Sequence, residues 1–304
     1  MTAILTACTQ RKRVTHNPLL SARDLPCGTL SEVATAWSER LKSAEATSAA
    51  KDLYAGRSFL EANKASNTAR AELFIVSAGL GLVHGDDAVP SYNLTVSKGD
   101  ADCIMPKLPD GCAEADWWGA LGGAQALISM VEAAPHVVVI GLPSPYLRMI
   151  APALGQLSPE ACRKIRITGG RFASELDPRL ESARLPYDDR LDGPESTLPG
   201  TKSDFAARAA RHFVENVLLN EPAADIDIHS GQVEAIMSKW TRPIAKLGTR
   251  MSDAEIKSIV RENWERAQGR NTKLLRILRD ELNVACEQKR FQSLAAEIRE
   301  EKAQ

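Results

Sequence analysis

Two short stretches of this sequence hold the residue types best suited to chemistry: Asp188-Asp189-Arg190 and Thr9-Gln10-Arg11-Lys12-Arg13. Adjacent carboxylates repel, and a half-buried one acquires a raised pKa suited to proton transfer or to stabilising a cationic transition state. Asp188 and Asp189 are therefore the candidate catalytic carboxylates, with Asp86 and Asp87 behind them. The plain alternative is an Asp189–Arg190 salt bridge that staples the loop. In the other stretch Lys12 and Arg13 can hold phosphate, while the Gln10 amide can orient a water or bond a base edge. A basic surface turn is the alternative there.

Of the four tyrosines, Tyr54, Tyr92 and Tyr187 stand beside polar or turn residues rather than within apolar stripes. A tyrosine in a pocket stacks on a base while its hydroxyl reads an edge, and the two-sided amide of Asn93 discriminates between edges. Tyr54, Tyr92 and Asn93 are thus candidate base-binding residues, each set against an ordinary packing role. His212 lies on an apolar helix stripe and reads as a core histidine. Cys8 has no histidine implied nearby and reads as an inert packed thiol. The loop Ser77-Ala78-Gly79-Leu80-Gly81 permits close backbone approach, but it lacks the Gly-Lys-Ser/Thr of a P-loop and a complete GxGxxG. Nucleoside triphosphate hydrolysis is disfavoured.

These residues need a frame. Three apolar runs, Ala3–Thr6, Leu73–Val76 and Val137–Ile140, each end in small, polar or glycine-rich residues, as strands buried on both faces of a parallel sheet do. Ligands of such sheets bind beyond the carboxyl ends of the strands. Helical spacing covers Leu30–Lys42, a stretch opening at Asp52, Trp117–Val131 and Phe205–Leu219, the last with Asp204 as its N-cap. A fourth strand is expected at Lys164–Thr168 before Gly169-Gly170, and the alternation argues for an α/β layer fold. Glu175–Thr201 is a long polar segment of the kind that is functional or disordered.

A domain boundary is expected at Asn220–Asp225, separating residues 1–222 from a helical module at 223–304. Ser252-Asp253-Ala254-Glu255 is a capping box starting a helix to about Gln268; after Gly269-Arg270-Asn271 a second helix runs Thr272–Leu282, with Leu274, Leu275, Leu278 and Leu282 inward. Lys239–Arg279 holds eleven Lys/Arg against four Asp/Glu, in a chain whose net charge is −1. A basic segment of this kind suits a polyanion, through Arg270, Lys273, Arg276 and Arg279; a solvated helical surface is the alternative. Six scattered cysteines form no CxxC or zinc spacing, so reduced thiols and no metal are expected. With no run of about 18 apolar residues and no leader pattern, the chain is expected to be cytoplasmic and not membrane-bound.

The segments Ile4–Lys12, Leu53–Phe59, Phe74–Leu82 and Pro90–Thr95 together resemble a family of bacterial and phage proteins related to the uracil-DNA-glycosylase-like domain that accompanies archaeosine synthases. Pro186–Leu191 and Gly200–Phe205 also look family-like, so the resemblance covers most of residues 1–220. It implies a three-layer α/β parallel-sheet fold with a C-terminal all-helical module. It also implies relatives that excise hypermodified bases, such as glucosylated hydroxymethylcytosine, from phage DNA in anti-phage defence. Pro143-Ser144-Pro145 is similar to the DNA-intercalation loop of glycosylases, with Leu142 in place of the preceding His. The water-activating Asp that such enzymes carry just after the first strand is replaced here by Gln10 and Arg11.

The expectation is a monofunctional DNA glycosylase without cofactor that flips out a modified base and leaves an abasic site. Gln10, Asp188 and Asp189 would be catalytic; Tyr54, Tyr92 and Asn93 would hold the base. Lys12, Arg13, Ser144 and Arg148 would grip phosphate near it, and the helical module would hold flanking DNA. The alternatives are a nucleoside or nucleotide N-glycosidase, a tRNA base-modification enzyme, and a non-catalytic DNA-binding protein.

Overall fold

The computed structural model describes residues 2–15, 17–46, 48–169, 176–244 and 248–303. Gly170, expected at the end of the fourth strand, and Glu175, expected at the start of the polar segment, lie outside them. The chain divides into two compact units, up to Pro243 and from Ile244 onward, rather than at residue 222. The helix Ile226–Met237 belongs to the first unit because Val233 and Met237 join its core and His229 is fully buried.

The first unit is an α/β layer structure around a five-stranded sheet. Its strands are β1 Ala3–Ala7, β2 Glu72–Ser77, β3 Gly81–His84, β4 Val138–Gly141 and β5 Ile165–Ile167. They lie in the order β3-β2-β1-β4-β5, parallel throughout except for the β2–β3 hairpin. Side chains of β1 alternate between faces, yet all five residues are buried, so helices must cover both faces. Helices Arg57–Ala69 and Phe205–Phe213 pack on each other and on β1 and β4 respectively. Leu30–Lys42, Glu114–Ala120, Gly123–Ala133 and Ser144–Leu154 pack among themselves as a second layer.

The expected strands and the helix Leu30–Lys42 are present, the helix started by a Thr29–Glu32 capping box and buried through Val33, Ala34 and Trp37. Three expectations change. The loop expected after Leu73–Val76 begins instead with a strand: β3 turns back on β2 soon after Ser77, with Gly81 in the left-handed region (φ +72°). The stretch Trp117–Val131 is two helices, because Gly122 (φ +77°) breaks the chain between Ala120 and Gly123. The polar segment before Thr201 is packed: Leu180, Ala183, Leu185, Tyr187 and Leu191 are buried, and Arg184 bridges to Ile167.

In the second unit the Ser252 capping box starts Asp253–Glu262, followed by Trp264–Ala267 and Asn271–Arg276, the last extended by a π turn at Ile277–Glu281. Gln268 and Gly269, both at positive φ, make the break between them. Leu274 and Leu278 are buried as expected, whereas Leu282 is exposed. A long helix, Gln288–Ala303, and a two-residue parallel pair of Thr249–Arg250 with Val284–Ala285 complete the unit. Among the described residues, no helix is long and apolar enough to cross a membrane.

Candidate active site

The chain leaves β1 and β4 at the same rim, on adjacent parallel strands. There Cys8, just past β1, lies 3.1 Å from the hydroxyl of Tyr146, in the first turn after β4. Beside them is a buried chain of hydroxyls. The Oγ of Ser77, the last residue of β2, accepts the N–H groups of Gly79 and Leu80 at 3.3 and 3.0 Å, which uses both its lone pairs. Its own proton therefore goes to the Tyr92 oxygen, 2.5 Å away, and the Tyr92 proton goes to Tyr54 at 3.0 Å. Burial pushes all three phenols, Tyr54, Tyr92 and Tyr146, above the ordinary tyrosine range, so they stay protonated.

The hairpin beside these tyrosines is held by two tryptophans. Trp37 donates its indole N–H to the Gly79 carbonyl at 2.6 Å, and Trp117 donates to that of Ala78 at 2.8 Å. A Cβ on Gly79 would stand 2.5 Å from the Tyr92 ring, which is why glycine is needed there. With Gly79 and Leu80 N–H groups spent on Ser77, this loop is a support and not a phosphate cradle.

Two chain segments border this buried layer. On one side Arg13 N–H donates to the Leu53 carbonyl and Ala55 N–H to that of Arg11, zipping the loop after β1 onto the segment around Tyr54. This places Lys12 above the tyrosines, its ammonium 4.4 Å from the Tyr92 ring centroid and 5.9 Å from that of Tyr54. On the other side Asn93 pairs with Leu20 and Ala22, and Thr95 with Asp102 and Ile104, through backbone bonds. Asp102 is buried and accepts the backbone N–H and the guanidinium of Arg23; Asp100 accepts the Asp102 N–H at 2.8 Å.

Between these segments lies a cavity of about 390 Å³, lined by Gln10, Lys12, Arg23, Asn93, Asp100 and Asp102 among others. Small-molecule sites run from about 300 to 1,000 Å³, and this one falls at the lower end of that range. Gln10 donates its amide N–H to Asp100 at 2.7 Å. The Asn93 carboxamide and the Lys12 ammonium have no hydrogen bond or ion pair among the described residues. Burial lowers the pKa of Lys12, while Cys8 and Asp102 nearby act in the opposite direction and only in part restore it.

The structure thus brings Gln10, Lys12 and Asn93 together, with Tyr54 and Tyr92 beneath them. It gives the tyrosines a different part from the expected one. Both rings are fully buried and offer no face on which a base could stack. Asp188 and Asp189 are not in this cavity. Asp188 is clamped by Arg190 at 2.8 Å and Arg242 at 3.1 Å, and Arg242 also pairs with Asp189 at 3.2 Å. Burial works against the charged form of Asp188, but hydrogen bonds from Arg190 and the charges of Arg190 and Arg242 prevail and lower its pKa, the reverse of the expected shift. Nearby, His212 is the expected core histidine, bonded to the Tyr187 hydroxyl at 2.7 Å. Arg13 and Arg148 are exposed and Ser144 opens the helix after β4, all outside the cavity lining. Sequence reasoning missed Asp100, Asp102 and Arg23; the signal available was Gly99-Asp100-Ala101-Asp102 a few residues after Tyr92-Asn93.

In the second unit Arg270 and Lys273 are exposed and have no acidic partner among the described residues. Arg276 reaches Asp280 at 3.7 Å, and Arg279 is spent on the Cys286 carbonyl, at 3.1 and 2.6 Å. The long helix supplies carboxylates to the basic surface, Glu297 to Lys257 and Glu301 to Arg261. The cationic face expected of all four residues rests on Arg270 and Lys273, with Arg276 partly neutralised. Among the described residues no three His, Cys, Asp or Glu side chains cluster as metal ligands. In comparisons with known proteins, no family model, no curated protein and no solved structure matches this chain.

Proposed function

We propose that the first unit is a DNA glycosylase, hydrolysing the N-glycosidic bond of a modified base swung out of the polymer into the cavity. The observation that supports this most directly is the gathering of Gln10, Lys12 and Asn93 with two carboxylates around one hollow. The free Asn93 amide reads a base edge. Gln10, fixed by Asp100, places the water. Asp100 takes over the part expected of Asp188: its carboxylate faces the sugar as positive charge develops at C1′. Asp102 is already neutralised by Arg23 and holds the wall.

Flipping costs a few kcal/mol, recovered through edge hydrogen bonds in the pocket. Arg13, Ser144 and Arg148 contact phosphate near the flipped nucleotide, and Arg270 and Lys273 hold flanking DNA. A glucosylated hydroxymethylcytosine of phage DNA is the substrate this reading favours, met in the cytoplasm during infection. The test is incubation with DNAs of different base chemistry, followed by alkali to cut abasic sites. Strand breaks confined to DNAs bearing one modification are expected; intact strands across a broad panel refute the reading. A free-nucleoside N-glycosidase is the second reading, favoured by the neutralisation of basic side chains by the helix Gln288–Ala303. Base release from nucleosides with none from DNA would select it.

A further inference from the structure

We infer that Lys12 is an amine nucleophile, which captures the aldehyde of an abasic deoxyribose as an imine and gives the site strand-cleaving lyase activity. This deepens the glycosylase reading and rests on it for the choice of substrate. Its basis is placement. A lysine meant only to grip phosphate belongs on the solvated surface, where Arg13 and Arg148 are. Lys12 instead is half-buried in the cavity wall, 4.4 Å above the centre of a phenol ring, with no carboxylate within salt-bridge distance among the described residues. The nearest acids are otherwise engaged: Asp102 by Arg23, Asp100 by Gln10 and the Asp102 N–H.

Burial strips water from the Lys12 ammonium and lowers its pKa, although the ring beneath it favours the charged form, and the neutral amine is the form that attacks carbonyls. Once the base has gone, the ring-opened sugar presents an aldehyde at C1′. The Lys12 nitrogen bonds to C1′, the carbonyl oxygen leaves as water carrying one proton from that nitrogen and one from solvent, and a protonated imine remains. That imine acidifies the C2′ proton. Asp100, whose two oxygens each accept one hydrogen bond and keep a free lone pair, accepts the proton; the C3′–O bond then breaks and the phosphate departs with its electron pair. Water returns the amine and the unsaturated aldehyde. No oxidant or reductant is required.

The experiment uses the full chain and duplex DNA containing one preformed abasic site, with sodium borohydride present to reduce any imine to a stable amine. A covalent protein–DNA adduct on a denaturing gel is expected, with peptide mapping placing the added mass on Lys12. Lys12→Arg, which keeps the charge, and Lys12→Met should each lower adduct yield at least tenfold while circular dichroism remains that of the wild type. An equal adduct in Lys12→Arg, or a mass on another residue, overturns the inference. So does the lack of any adduct in protein that still releases base, and this outcome leaves the glycosylase reading standing. Failure of base release on every DNA together with no adduct overturns both.

Discussion

The hydroxyl of Tyr54 lies 3.0 Å from that of Tyr92, and it is the end of a directed chain that starts at Ser77. Because Ser77 spends both lone pairs on its own hairpin, the Tyr92 hydroxyl is at once acceptor from Ser77 and donor to Tyr54. The buried layer beneath Lys12 is therefore tied to the β2–β3 turn through one oxygen atom.

Removing that oxygen should be costly. Tyr92→Phe leaves the Ser77 proton without an acceptor and the Tyr54 oxygen without a donor, both buried, at about 1–3 kcal/mol each. Tyr54→Phe removes only the terminal member and should cost less. Urea unfolding of the two variants checks this, and equal losses would show that Tyr92 is not the shared middle member of the chain.

Lys12 has a signature in stability as well as in reactivity. Its folded pKa is lowered, chiefly by burial, so the protonated form burdens the fold below that value. As pH rises from the lowered pKa toward the unfolded value of about 10.4, the unfolded chain holds more protons and stability increases. Lys12→Met should thus be more stable than the wild type at neutral pH, by a margin that shrinks as the solution is made alkaline. Denaturation midpoints from pH 7 to 10 measure the margin; a constant gap would contradict it.

Asp188→Asn should separate structure from chemistry. The carboxylate is held below its ordinary pKa by Arg190 and Arg242 despite burial, so its contribution is full above about 3.9 and is lost as pH falls through the folded value. Replacement should cost about 1–3 kcal/mol at pH 7, the scale of a lost charged hydrogen bond. The deficit should vanish in acid. Base release should stay within a few-fold of the wild type, and a loss of a hundredfold or more at intact fold would return Asp188 to the catalytic machinery.

For the second unit, the Arg270→Ala, Lys273→Ala double variant should weaken duplex binding and reduce the slope of log affinity against log salt by about two. Arg279→Ala should leave that slope nearly unchanged and instead lower the melting temperature, since its guanidinium closes the turn at Cys286. Fluorescence anisotropy over a salt series distinguishes the two.

The frame was legible in the sequence because its signals are local. Apolar runs such as Val138–Ile140 mark buried strands, and Thr29 with Glu32 marks a helix start. The hairpin strand Gly81–His84 escaped because its residues are mostly half-buried and lack a clean alternation. Within the site, Gln10, Lys12 and Asn93 were legible as polar residues at a strand end or beside a tyrosine. Asp100 and Asp102 were not, because they sit on an irregular loop whose position depends on backbone bonds to the distant Leu20–Ala22 segment through Asn93 and Thr95. Asp188 misled for a related reason. Its neighbour Arg190 was visible, but Arg242, 54 residues away, was not, and that second cation turned an expected proton-transfer group into a fixed anion.

The indole of Trp37 meets the ring of Tyr92 edge-on, their centroids 6.2 Å apart, while its N–H holds the Gly79 carbonyl. At that separation light absorbed by the phenol is handed to the indole, whose emission is set by the polarity of its immediate surroundings. A molecule in the hollow meets Lys12, which lies over Tyr92, so the buried pair registers occupancy through movement of that side chain. Because Trp37 is one of five tryptophans, reading that change calls for comparing the protein with a Trp37→Phe variant.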